Sequence, residues 1–197
     1  MKQGSTKEKI LFTAVKLFSD KGYENVSMHD IAKMVNIKAA SIYNHFPSKH
    51  GIRKSMYVFY AQQQQLAAPT LESLLYLVDI EPVQNVLMKL DYRFPPDLQD
   101  MLNRILIIAS HGICIDEDSE SFIHEHLFKF SKSLLLPLVN RMIELKRIEP
   151  IDAEAFSYLV TSYAFSAVIL SQSRMKIRKE QCHSGLAMIF SLLKSPR

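Results

Sequence analysis

Ser27-Met28-His29-Asp30-Ile31-Ala32-Lys33-Met34-Val35-Asn36-Ile37-Lys38-Ala39-Ala40-Ser41-Ile42-Tyr43-Asn44-His45-Phe46-Pro47-Ser48-Lys49 is the stretch on which the fold turns. Ser27 and Asp30 spell a capping box, in which each side chain accepts a backbone N–H that the helix start would leave orphaned. Met28, Ile31, Ala32 and Val35 recur at the three-and-four spacing of a short helix. Asn36 then tolerates a positive φ better than most non-glycine residues, so a tight break is expected there. A second short helix is expected over about Lys38 to His45, stopped by Pro47. Two short helices about three residues apart pack only at a steep angle, and the small Ala32 suits the point where the backbones approach. This spacing predicts a helix-turn-helix. In that motif the second helix lies in the major groove of DNA while the first spans the backbone.

Working outward, Ser5 with Glu8 forms a second capping box ahead of the apolar stripe Ile10, Ala14, Leu17 and Phe18, and Gly22 suits the helix end. Ser48 caps a helix running to roughly Leu66. Pro69, Pro82 and Pro95-Pro96 punctuate helices expected at about 70–80, 82–92 and 97–113. A helical pattern over 118–147 contains Pro137, which removes a backbone bond and predicts a kink or split. Glu149-Pro150-Ile151-Asp152 reads as a break, with Asp152 capping a helix of about 153–173 and a last helix at about 179–194. There are only five glycines, and alternating β-branched runs are scarce. The expectation is an all-α chain of nine to ten helices with no sheet.

The 197 residues are 48% apolar and 22% charged, ordinary for a globular chain. Charge is unevenly spread. Residues 1–54 hold ten Lys/Arg against four Asp/Glu, and the remainder fourteen against sixteen. A basic end on a near-neutral body points to nucleic acid. No apolar run is read as reaching the length of about 18 residues that a membrane span needs. No apolar stretch follows Lys2, so a signal peptide is not expected and the cytoplasm is. Cys114 and Cys182 read as free, buried or half-buried thiols. His124 and His126, two apart, fall on different helix faces and make no metal pair. No nucleophile elbow, phosphate loop or zinc spacing occurs. Hence no catalytic residues, metal or cofactor are expected, and enzyme function is excluded as a leading reading.

Ala14, Leu17-Phe18, Gly22-Tyr23, Ile31-Ala32, Ile37, Ser41-Ile42-Tyr43, His45-Phe46-Pro47-Ser48-Lys49 and Ile52 together resemble the DNA-binding domain of the tetracycline-repressor (TetR) family. The resemblance covers about a quarter of the chain. Two positions depart from its pattern: Asn36 stands where glycine is usual, and Lys38 where serine or threonine opens the next helix.

The resemblance implies an N-terminal three-helix DNA-binding domain over 4–50, with the motif at about 27–46. A helical regulatory and dimerisation domain would occupy 51–197. Lys38, Ala39, Ala40 and Ser41 would face base edges. Ser27, Tyr43, Asn44, His45 and Lys49 would contact or flank phosphates. The chain would be a homodimer on a near-palindromic operator, joined through about 153–173 and 179–194. It would act as a repressor released from double-stranded DNA by a small, largely apolar ligand. Tyr92, Met101, Arg104, Ile105, Ile108, His111, Phe122 and Phe130 are the candidate ligand residues, with Arg104 and His111 as the polar groups. The alternative is a DNA-binding or interaction module of the same fold with no small-molecule effector.

Overall fold

A computed structural model describes residues 5–90, 94–171 and 179–194, without the side chains of residues 179, 180, 182 and 183. Among the described residues the regular structure is helical and no strand occurs, as expected. The chain divides into two compact units. One takes the residues to Leu66 together with Phe94–Phe122, the other those from Ala67 to residue 93 and from Ile123 onward.

In the first unit α1 (Thr6–Lys21) starts at Ser5, whose hydroxyl accepts from the Glu8 N–H while the Glu8 carboxylate accepts from the Ser5 N–H. It ends at Gly22, which takes φ 85°. Then come α2 (Met28–Val35), α3 (Ala39–Ile42) and α4 (Lys49–Ala67). The Gly51 N–H donates to Ser48 Oγ at 3.0 Å, capping α4 as its sequence suggests. After the break in the unit, α7 (Pro96–Gly112) packs along α1, and α8 (Glu117–Ile123) follows a short corner. Ile10, Ala14, Phe18, Ile31, Ile42, Ile52, Met56 and Ile105 are fully buried and form its core. Burial of such side chains supplies about 1.5–3 kcal/mol each before chain entropy is counted.

In the second unit α5 (Leu71–Ile80) and α6 (Val83–Met88) join α9 (Phe130–Glu144), α10 (Ala153–Ser171) and α11 (Lys179–Ser191). Leu74, Val86, Leu87, Leu138, Val139, Met142 and Phe190 form the centre of its core. Asp152 Oδ1 accepts from the Glu154 and Ala155 N–H groups, capping α10.

Three expectations need correction. Pro137 lies inside α9 without ending it, and the irregularity falls upstream, where His124–Lys129 wind as a π-helix. Cys114 is exposed, because it sits in the turn after α7 and not on a helix face. The Cys182 side chain lies outside the described residues. Finally, α10 is long and apolar enough by length and composition to cross a membrane. Ser157, Thr161, Ser162 and Ser166 break up the run and hide that character from a reading of consecutive residues.

Candidate nucleic-acid interface

The first helix of the motif is closed at both ends. Ser27 Oγ accepts from the Asp30 N–H at 3.1 Å, and Asp30 Oδ2 accepts from the Ser27 N–H and hydroxyl at 2.9 and 2.6 Å. Those bonds hold the Asp30 carboxyl below the usual aspartate range, since they favour its charged form. At the other end Asn36 adopts φ 58°, ψ 48°. The Asn36 N–H reaches the carbonyls of Ala32 and Lys33, and the Ile37 N–H reaches Ala32 at 3.0 Å. Left-handed backbone thus reverses the chain within one residue, as the sequence predicts for Asn36. Met28, Ile31 and Ala32 face the core.

The second helix is open by contrast. Lys38 stands at its start in extended backbone, exposed and with no side-chain cap bond. Regular α-helix spans only Ala39–Ile42 of the expected Lys38 to His45. Beyond it the Asn44 N–H bonds Ser41 and the His45 N–H bonds Ile42, at 3.3 and 3.0 Å. These three-residue steps tighten the winding. The Phe46 N–H then reaches back to the Ile42 carbonyl at 3.0 Å, and Pro47, which has no N–H, closes the segment. Ile42 and Phe46 point inward at 0% and 2% exposure. Lys38, Ala39, Ala40, Tyr43 and Asn44 are exposed, while Ser41 and His45 are half-buried. Tyr43 is therefore a surface residue, not part of the core.

Two residues expected at phosphates are engaged within the chain. The Ser27 hydroxyl holds Asp30, so a carboxylate already stands at that helix start. Lys49 Nζ donates to the Tyr23 carbonyl at 2.9 Å and lies 4.3 Å from the Tyr23 ring centroid, with Glu24 at 3.7 Å. One turn on, the Arg53 guanidinium covers the same ring at 4.4 Å and pairs with Asp116 Oδ2 at 3.0 Å. Arg53 is 8% exposed, and its Nε is buried without a hydrogen-bond partner. Asp116 also accepts from the Ser119 hydroxyl, and Ser119 meets Tyr57 Oη at 2.8 Å. Burial raises the Tyr23 and Tyr57 phenols above their ordinary range. Next to this network, Asp118 takes His50 and Lys54, and the His50 bond lowers its carboxyl. Sequence reasoning did not find this clamp on the head. The spacing of Lys49, His50, Arg53 and Lys54 along one helix side was its available signal.

The candidate ligand residues do not form one set. Tyr92 lies outside the described residues, and Phe130 belongs to the second unit. In the first unit Ile105, Ile108 and Phe122 are buried, Met101 is half-buried and His111 exposed. Phe122 stacks on Tyr57 at 4.3 Å and meets Tyr60 edge-on at 5.2 Å. Arg104 is bound to Asp100, Asp20 and Ser19 at 2.8, 2.6 and 2.8 Å, which ties α7 to α1.

Residues 10–56 match the family model described as bacterial regulatory proteins, tetR family. That match covers about a quarter of the chain, its N-terminal helix-turn-helix region. Over 46 residues the chain is 56% identical to the biofilm operon icaADBC HTH-type negative transcriptional regulator IcaR of Staphylococcus aureus strain Newman, covering 23% of this chain and 25% of that one. The IcaR of Staphylococcus epidermidis is 51% identical over 51 residues, 25% of this chain and 28% of its own. The chain thus spans about a quarter of the length of the curated relatives it matches. Solved structures share the fold over nearly the whole chain. The tetR-family regulator PfmR from Thermus thermophilus superposes with TM-score 0.70 at 18% identity, covering 98% of each chain. The ketosteroid transcriptional regulator KstR2 of Mycobacterium tuberculosis gives 0.70 at 16%, covering 98% of this chain and 97% of its own. A transcriptional regulator from Saccharomonospora viridis in complex with choline gives 0.62 at 17%, covering 94% and 95%. The tetR-family fold accordingly comprises an N-terminal helix-turn-helix and a helical C-terminal part.

Proposed function

We propose that this chain is a dimeric, cytoplasmic DNA-binding repressor, released from a near-palindromic operator by a small, largely apolar ligand. The observation that supports it most is the asymmetry of the helix-turn-helix. α2 is capped at both ends and sunk into the core, while α3 is uncapped and presents Lys38, Ala39, Ala40, Tyr43 and Asn44 outward. That is the arrangement a recognition helix needs. Lys38 and the two alanines would meet base edges, lysine at guanine acceptors and alanine at thymine methyls, with Ser41 beside them. Tyr43, Asn44 and His45 would meet phosphates. On this reading 4–50 is the DNA-binding domain and 51–197 the regulatory and dimerisation domain.

A two-fold dimer fits two half-sites. The second unit offers apolar side chains for it: Tyr158 and Leu159 on α10 are 65% and 45% exposed, and Met188 on α11 is 71% exposed, as is Leu192 just after it at 60%. Not every apolar residue of these helices is available to it, since Phe156, Val160, Phe190 and Leu193 close the core of the unit itself. The aromatic group around Phe122, with Met101, Ile105 and Ile108, is the ligand-sensing candidate. The choline-bound relative supports an effector of modest size.

A module of the same fold without an effector is the second reading. One observation favours it: Arg104, the strongest polar candidate for a ligand contact, is already bound to two carboxylates.

Sequencing the genomic fragments retained by the full-length protein tests the function. A recurring near-palindrome bound in preference to bulk DNA supports it. Retention without any sequence preference, at every salt concentration, rejects an operator-specific repressor.

A further inference from the structure

We infer that Lys7 is a DNA-phosphate contact that anchors the far end of the recognition segment, an assignment that rests on the DNA-binding reading above. Lys7 lies in the first turn of α1 and is exposed. Its ammonium sits 5.5 Å from the centroid of the Phe46 ring. Phe46 is buried and directly follows Tyr43-Asn44-His45, so its ring fixes this cation at the close of the segment that faces DNA. An ammonium has three donors, and a ring face leaves its N–H groups available to an anion.

Nothing among the described residues neutralises Lys7. Among the described residues no carboxylate lies within ion-pair distance of it, and the neighbouring Glu8 carboxylate is bound to the Ser5 N–H and hydroxyl. That capping box also occupies the start of α1, so the anion site is the lysine and not the helix terminus. Lys49, which the sequence offers for this role, is turned onto Tyr23. At the opposite end of the segment Lys38 is likewise exposed and uncapped. Lys7 therefore stands at the close of the segment as a phosphate contact, while Lys38 at its start meets base edges.

The test uses full-length protein and a mixed-sequence B-form duplex, with affinity measured by anisotropy across a salt series. Lys7→Ala is expected to weaken binding several-fold at low salt and to shrink the log–log salt slope by about 1, equally for different duplex sequences. Lys7→Arg should keep the wild-type slope. Lys9→Ala, two residues on and so on another face of α1, should also leave it unchanged. Circular-dichroism melts should show all variants folded. An unchanged slope in Lys7→Ala, or an equal loss in Lys9→Ala, overturns the assignment while leaving DNA binding intact. Wild-type protein that shows no salt-dependent affinity for the duplex overturns the DNA-binding reading itself, and Lys7 with it.

Discussion

α4 and α10 are both nineteen residues long, and they handle their side chains in opposite ways. α4 draws charge and polarity inward: Arg53 and Gln64 are each 8% exposed, and Lys49 is half-buried against Tyr23. α10 leaves apolar surface outside. Only 28% of its apolar window is buried, and Tyr158 and Leu159 face out. The difference shows that burial follows available partners more than hydropathy. The polar groups of α4 find a ring, a carbonyl and a carboxylate within the first unit. The apolar side chains of α10 outnumber the places its own unit provides, and exposed apolar patches of this kind mark interaction surfaces.

The sharpest way to break the comparison is to unpair α4. Asp116→Ala leaves the Arg53 guanidinium buried without its carboxylate and should cost about 3 kcal/mol, read as a lower urea midpoint. An unchanged midpoint would mean that the pair is effectively solvated. On the other side, Leu159→Glu combined with Met188→Glu places charge on the outer face of α10 and α11. Losing central apolar anchors costs about 2 kcal/mol or more of association, so sedimentation velocity should show a dimer replaced by a folded monomer. A variant that stays dimeric would place the interface elsewhere. A smaller effect is expected in the head, where Asn36→Ala puts an ordinary side chain at φ 58° and should cost about 1 kcal/mol. Asn36→Gly should be neutral or slightly stabilising, and thermal melts of the two variants will separate backbone strain from lost side-chain contacts.

The smallest effect concerns Ser27→Ala and pH. Hydrogen bonds from Ser27 lower the folded-state pKa of Asp30, so their stabilisation is present above the unfolded pKa of about 3.9. It is lost as pH falls through the lower folded value. The gap in melting temperature between wild type and Ser27→Ala should therefore be steady near neutrality and narrow below about pH 4. A gap that widens in acid would reverse the assigned cause.

Local chemistry was readable from the chain itself. The boxes Ser5–Glu8 and Ser27–Asp30 and the left-handed Asn36 each depend on residues a few positions apart. Long-range partners were not. Lys49 meets Tyr23 across 26 positions, and Arg104 meets Asp20 across 84. No periodicity within either helix encodes those meetings, so Lys49 read as a phosphate contact and Arg104 as a polar group for a ligand. The shortened α3 and the π-helical His124–Lys129 show another gap. Pro137 lies eight residues beyond the π-helix and sits inside α9 without ending it, so proline alone did not locate that irregularity. Spacing alone likewise does not say which apolar residues of α10 the chain's own core will cover and which, such as Tyr158 and Leu159, it leaves outside.

Tyr23 carries a mechanical consequence. Lys49 and Arg53 are one turn apart on α4, and both rest on that single ring, which itself stands edge-on against Phe18 of α1 at 5.0 Å. Sliding α4 along its axis by a turn would carry one cation off the ring and leave the other to find a new seat. The ring thus acts as a detent: small rocking of α4 costs little, while translation has to jump a barrier. Motion of α4 along its axis is therefore resisted where it meets Tyr23, four residues before Ser27, the cap of α2.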